Sequence, residues 1–248
     1  MDELAAALAP LAGRLCDAHV HIGPSDPWVP ELDPSSSLTD MDATLSALGT
    51  QRALVFPNPS THSYPERNRE LARTARERDD LIPFGRVDPR HPDAVAHVEE
   101  VGRLGLVGIK LHPVVECFRP DHPELADVFE RARDLGLALV FHTGAGFASP
   151  KYLNKLAGGP TPLILCHLSR GCLPLLKKRN VYADTSNASV RVIAEAVRAS
   201  PRRVLYGSDH PYLDARVELA KVLAAVPRGR ARRLVLAGNL DRIFRSVR

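Results

Sequence analysis

Eight short segments rich in Val, Leu, Ile and Phe recur along the chain: Leu15–His21, Ala53–Pro57, Ile82–Asp88, Val107–His112, Ala138–His142, Leu163–His167, Val181–Asp184 and Val204–Asp209. Helical patterns lie between several of them. Residues 66–78 alternate Leu71, Ala72 and Ala75 with a heavily charged face. Residues 123–135 open on a proline suited to a first helical turn and stop at Gly136. Residues 189–199 begin on a capping serine and are halted by Pro201. The connections after Ala138–His142 and Leu163–His167 are shorter and weaker as helices. Strands that alternate with helices pair in parallel, because each crossover returns the chain to the same end of the sheet. Eight such units predict an α/β chain folded as a (β/α)8 TIM barrel, one domain over residues 1–248, with room for slight distortion. An open doubly wound sheet is the alternative. Its dinucleotide fingerprint is missing, since Gly144-Ala145-Gly146 lacks a third glycine and lies mid-chain.

Composition narrows the function classes. The 248 residues are 44% hydrophobic, enough for a sizeable core. The net charge of +4 is small for this length, and the basic concentration at Arg228, Arg230, Arg232 and Arg233 reads as a solvated helix face. It has no interleaved aromatics, so nucleic acid is not an expected partner. Asp2 and Glu3 stand where a signal peptide is basic, and no run approaches a membrane span. The four cysteines follow no CxxC pattern, which points to free thiols and a reducing cytoplasm. A homodimer is the base-rate expectation for oligomeric state.

The chemistry-bearing residues cluster at strand ends. His19 and His21 end the first predicted strand, where side chains two apart share a face and two imidazoles converge. Lys110 and His112 end the fourth, His142 the fifth, His167 the sixth and Asp209 the eighth. In a barrel the carboxyl ends of all strands meet at one rim, where active sites are built. Residues far apart in sequence would therefore surround one cavity, and converging imidazoles and a carboxylate there suggest a transition-metal site, zinc being the commonest case. Lys110 and His112 are candidates for contact with a small-molecule substrate, and Arg86, His62 and Arg170 are weaker ones at the rim. The long Pro- and Ser-rich stretch Gly23–Ser37 follows the first strand on the same face.

These motifs carry a resemblance. Asp17-Ala18-His19-Val20-His21, Gly108-Ile-Lys-Leu-His-Pro113, Phe141-His-Thr-Gly144, Cys166-His-Leu168 and Tyr206-Gly-Ser-Asp-His-Pro211 resemble, in order, the motifs of the amidohydrolase superfamily. The nearest branch is the amidohydrolase-related group that includes aminocarboxymuconate-semialdehyde decarboxylase. The resemblance implies that His19, His21, His142 and Asp209 hold one divalent metal, with zinc expected. Such an ion acidifies water toward a pKa of about 7. Asp209 would also move the water proton, and His167 would polarise the substrate carbonyl. In binuclear members a carbamylated lysine bridges two ions. Lys110 stands in that position, with His142 and His167 then on the second ion. The resemblance leaves two reactions open: hydrolysis of a C–N or C–O bond in an amide, cyclic imide or lactone, or decarboxylation or hydration of a small carboxylic acid.

Overall fold

The computed structural model describes residues 15–24, 26–27, 34–59 and 64–245. Nine strands run through the described residues: β1 (Leu15–Ile22), β2 (Thr50–Pro57), β3 (Leu81–Pro83), β4 (Gly85–Arg86), β5 (Gly108–Leu111), β6 (Ala138–His142), β7 (Leu163–Cys166), β8 (Val181–Asp184) and β9 (Val204–Leu205). They form two parallel sheets, β1-β2-β3 and β4 through β9 in sequence order. The seams between the sheets are crossed by backbone hydrogen bonds. Phe84 donates to Val55 and Val107 to Pro83 at one seam; Ala18 donates to Tyr206 and Asp209 to His19 at the other. The fold is a (β/α)8 barrel.

The third predicted strand is split in two. Pro83 has no N–H to give a ladder, so the run breaks there and its next residues change partner from β2 to β5. Gly108 permits the crossing, because a Cβ at that position would lie 2.2 Å from the Phe84 ring and 2.4 Å from the Ala138 carbonyl.

The longer helices are α1 (Leu38–Ala47), α2 (Tyr64–Ala75), α3 (Ala94–Arg103), α4 (Ala126–Asp134), α5 (Val190–Ala199) and α6 (Ala215–Ala225). Three of them match the periodic segments, and Ser189 caps α5 by accepting from the Val192 N–H. Helix α1 has its own unread signal: Ser37 and Asp40 form a reciprocal capping box. After β6 and β7 the chain makes only short 3-10 turns, so two of the eight crossovers lack a regular helix.

Side chains of Ala18, Leu54, Phe56, Ile82, Phe84, Val140, Ile164, Cys166 and Leu205 fill the barrel, with Leu240 and Phe244 of the C-terminal helical segment packed against them. A second apolar layer lies between strands and helices. Arg232 of the basic stretch donates to the carbonyls of Leu223 and Val226, satisfying the end of α6. No helix among the described residues is long and apolar enough to cross a membrane. The four cysteines are unpaired; Cys16, Cys166 and Cys172 are buried and Cys117 is exposed.

Candidate metal centre

A bulge aims the first two histidines. Asp17 pairs with Ala53 and Val20 with Val55, so β1 spends three residues where β2 spends two. The extra residue switches the inward parity from Cys16 and Ala18, which fill the barrel, to His19 and His21. Asp17 secures this kink: its Oδ1 accepts from the N–H of His19 and of Ser208, both at 3.0 Å, tying β1 to the segment after β9.

His19 Nε2 and His21 Nε2 lie 3.2 Å apart, and Asp209 Oδ1 is 3.0 Å from the first and 3.3 Å from the second. Behind His19, its Nδ1 faces Asp184 Oδ2 at 3.0 Å and Ser186 Oγ at 3.2 Å. A carboxylate there accepts a hydrogen bond from Nδ1–H and leaves the Nε2 lone pair facing the cluster. Ser186 donates to Asp184 Oδ1 and also meets His167 Nδ1 at 3.0 Å. Asp209 Oδ2 lies 4.0 Å from His167 Nδ1. Both Asp209 and His167 have positive φ, 58° and 62°, a backbone state that side chains other than glycine occupy mainly at functional sites. Gly207 lets the strands close here; a Cβ would sit 2.9 Å from Asp184 Cβ and 3.0 Å from His19 Cβ.

The donor set fits a divalent cation. Burial disfavours charge on His19, yet Cys166, Asp209 and Asp184 outweigh it and hold that imidazole well above its usual pKa. Burial also works against the Asp209 carboxylate, but the flanking His19 and His21 keep it well below the ordinary range. Two imidazoles and a carboxylate that together call for positive charge at their meeting point form a donor set that divalent transition ions take. His21 Nδ1 is buried without a hydrogen-bond partner in the structure, the one imidazole nitrogen of the pair left unsupported.

The other predicted residues are placed as follows. His142 is one ring further out: its Nδ1 meets His167 Nε2 at 3.1 Å, and it reaches the His19, His21 and Asp209 cluster through that ring. Burial lowers its pKa to about 2, so it is a neutral imidazole. His112 is half-buried and stacks on His142 at 3.8 Å and 16°. Lys110 is buried beneath the cluster, with Nζ 2.9 Å from Cys166 Sγ, 3.5 Å from His19 Nε2 and 4.3 Å over the Phe56 ring. Arg86 is a correction. It is held by Glu116 and is not free to receive substrate, because a fully buried guanidinium needs an anion close by. Arg170 is another: it is exposed and makes two bonds to Glu195, at 3.1 and 3.0 Å, on the outside of the molecule. His62 lies outside the described residues, as do residue 25 and residues 28–33 of the stretch after β1. Asn58 clasps that stretch by donating to the carbonyls of Pro24 and Pro34. His210 turns away from the cluster to Ser36 Oγ at 2.9 Å. Sequence reasoning passed over Asp17, Ser186 and Glu116. Asp17 stands two residues before His19, and Ser186 two residues past the end of the strand at Asp184; this spacing was their available signal.

Asp17 carries a pH prediction. Burial pushes its carboxyl up from 3.8 to about 6, against the hydrogen bonds from Ser208 and His19. Between those two values the folded chain keeps a proton that the unfolded chain releases. The stability from that proton is complete below pH 3.8 and is lost as pH rises through 6, a fall of about 3 kcal/mol. The Asp17→Asn variant should lack this term. Its melting temperature, measured against wild type from pH 4 to pH 8, should gain on wild type up to about pH 6 and level off above that; parallel curves throughout would reject the assignment.

Parallel strands with imidazoles and carboxylates gathered at their carboxyl ends define a (β/α)8-barrel enzyme. The chain belongs to the amidohydrolase family, whose family model matches residues 16–245. No curated protein matches it. Among solved structures it is similar to 5-carboxyvanillate decarboxylase from Sphingomonas paucimobilis, at 18% identity and a TM-score of 0.73, covering 94% of this chain and 99% of that one. A probable 2-pyrone-4,6-dicarboxylic acid hydrolase from Acinetobacter baumannii matches at 16% identity and 0.71, covering 93% and 99%. A dihydroxybenzoic acid decarboxylase from a Polaromonas species, solved with bound manganese, matches at 14% and 0.74, covering 94% and 97%. At these identities the likeness is one of fold.

Proposed function

We propose that this chain is a metal-dependent hydrolase that adds water across a C–N or C–O bond of a small polar molecule, such as an amide, cyclic imide or lactone. The observation that carries the reading is the division of labour at Asp209. Its Oδ1 belongs to the imidazole cluster, while Oδ2 faces His167. His19, His21, His142 and Asp209 would hold the divalent ion, with His167 beside it, and the nitrogen-rich donors favour zinc. Such an ion supplies Lewis acidity that acidifies water and polarises a carbonyl.

The residues do the rest. Asp209 Oδ2 accepts the proton of the attacking water and returns it to the leaving nitrogen or oxygen. His167, whose pKa burial lowers, is neutral near pH 7 and donates a hydrogen bond to the carbonyl oxygen as charge develops there. The nearby basic side chains support an uncharged reacting group. Arg86 is engaged by Glu116, and Lys110 contacts Cys166 and His19.

Decarboxylation of a small carboxylic acid is the second reading, supported by the several decarboxylases among the similar structures. A panel of amides, imides, lactones and aromatic acids incubated with metal-loaded protein in oxygen-18 water separates the two. Labelled oxygen in the product is expected. Release of carbon dioxide with no label in the organic product would sink the hydrolase reading in favour of the lyase.

A further inference from the structure

Arg86 and Glu116 form a charge pair sealed inside the protein, 0% and 7% exposed. Arg86 Nε and Nη2 both donate to Glu116 Oε1, at 3.1 and 3.0 Å, and the Tyr64 hydroxyl donates to the same oxygen at 2.9 Å. The other oxygen, Oε2, accepts the backbone N–H of His112 at 2.6 Å. In return the Glu116 N–H donates to the His112 carbonyl at 3.0 Å, so the turn over residues 112–116 is closed from both ends. The Val115 N–H donates to His112 Nδ1 at 3.3 Å and sets the rotation of that ring. Arg86 is fixed in its turn, since Asn68 of α2 bonds both its N–H and its carbonyl, at 2.8 and 2.9 Å.

A sealed ion pair is a poor source of stability, because apolar side chains of similar volume often serve as well. It does supply direction, because Arg86 and the Tyr64 hydroxyl fix one carboxylate oxygen while the His112 N–H fixes the other. The direction ends at the metal centre: His112 lies flat against His142 at 3.8 Å, and His142 Nδ1 meets His167 Nε2 at 3.1 Å.

We infer that Arg86 and Glu116 are positioning residues: through the closed turn they hold the His112 ring as a wall that orients His142 at the edge of the metal centre. The inference rests on the ion-binding reading above. Its test is cobalt(II) titration of the full chain, followed by visible absorption, beside thermal melting. Wild type should take up about one equivalent. The double variant Arg86→Met/Glu116→Leu replaces the pair by apolar groups and should melt close to wild type. It should bind cobalt about 10- to 100-fold more weakly, with a shifted visible band, as when partners that orient metal ligands are removed. Glu116→Gln is the second variant; it leaves Arg86 without its anion and should melt below wild type, so its metal binding is read at a temperature where circular dichroism shows it folded. A single amide oxygen cannot accept from both Arg86 and the His112 N–H, so this variant should also lose about 10-fold in affinity. A folded variant of either kind with wild-type affinity and spectrum overturns the positioning role. A wild type that binds no cobalt overturns the ion-binding reading, and this inference falls with it.

Discussion

Replacing His19 by alanine should reduce bound metal from about one ion per chain to nearly none, measured by elemental analysis of the purified protein. His19 Nε2 lies 3.2 Å from His21 Nε2 and 3.0 Å from Asp209 Oδ1, so it makes the two shortest contacts of the cluster. Its ring is also the one with a complete support, from Asp184 and Ser186. Loss of an orienting partner alone typically costs about 10- to 100-fold in metal affinity, and loss of the ligand should exceed that. The fold should survive, because the vacated space is lined by polar groups that water can satisfy; circular dichroism checks this. Lys110→Ala, prepared in parallel, should keep its ion. The Lys110 Nζ faces Cys166 and the Phe56 ring, which suits an ammonium more than a carbamate bridge. Two ions in wild type, both reduced in Lys110→Ala, would instead establish the bridge.

The largest stability effect should come from breaking the Arg86–Glu116 pair on one side only. Arg86→Met leaves a buried carboxyl with no cation, and removal of one partner from such a pair costs about 3–5 kcal/mol. For a chain of this length that is a fall of roughly 6–20 °C in melting temperature. The deficit should depend on pH. Burial already raises the Glu116 carboxyl above 4.5, with Arg86 the main opposing influence. Without Arg86 the folded-state pKa climbs further, so the folded chain holds a proton that the unfolded chain releases. The variant should be least impaired below pH 4.5 and lose stability as pH rises from there. Thermal melts at pH 5 and pH 8 that show the same deficit would contradict this account.

Much of the architecture was legible because it is local. Alternation of period two and the capping residues mark strands and helices within windows of a few residues, and six of the eight predicted strands stand within a few residues of their expected bounds. The two that differ do so for non-local reasons. The third breaks at Pro83, where the partner strand changes. The eighth leaves the ladder after Leu205 to bond with β1 through residues 206–210. Among the site residues, His19, His21, His167 and Asp209 came together as their strand-end positions implied. Arg170 did not, because the choice between an inner and an outer partner depends on where Glu195 of α5 falls, which no window around Arg170 contains.

The sequence by itself determined the order of strands, the parallel pairing, and which imidazoles and carboxylate stand at the carboxyl ends. Those follow from side-chain periodicity and chain connectivity. Tertiary structure decided the rest: that a bulge held by Asp17 turns His19 inward, that Gly207 allows Asp184 to reach His19, and that Glu116 takes Arg86. Each of these last is a competition among partners brought together from distant parts of the chain, and only packing sets which of them meet.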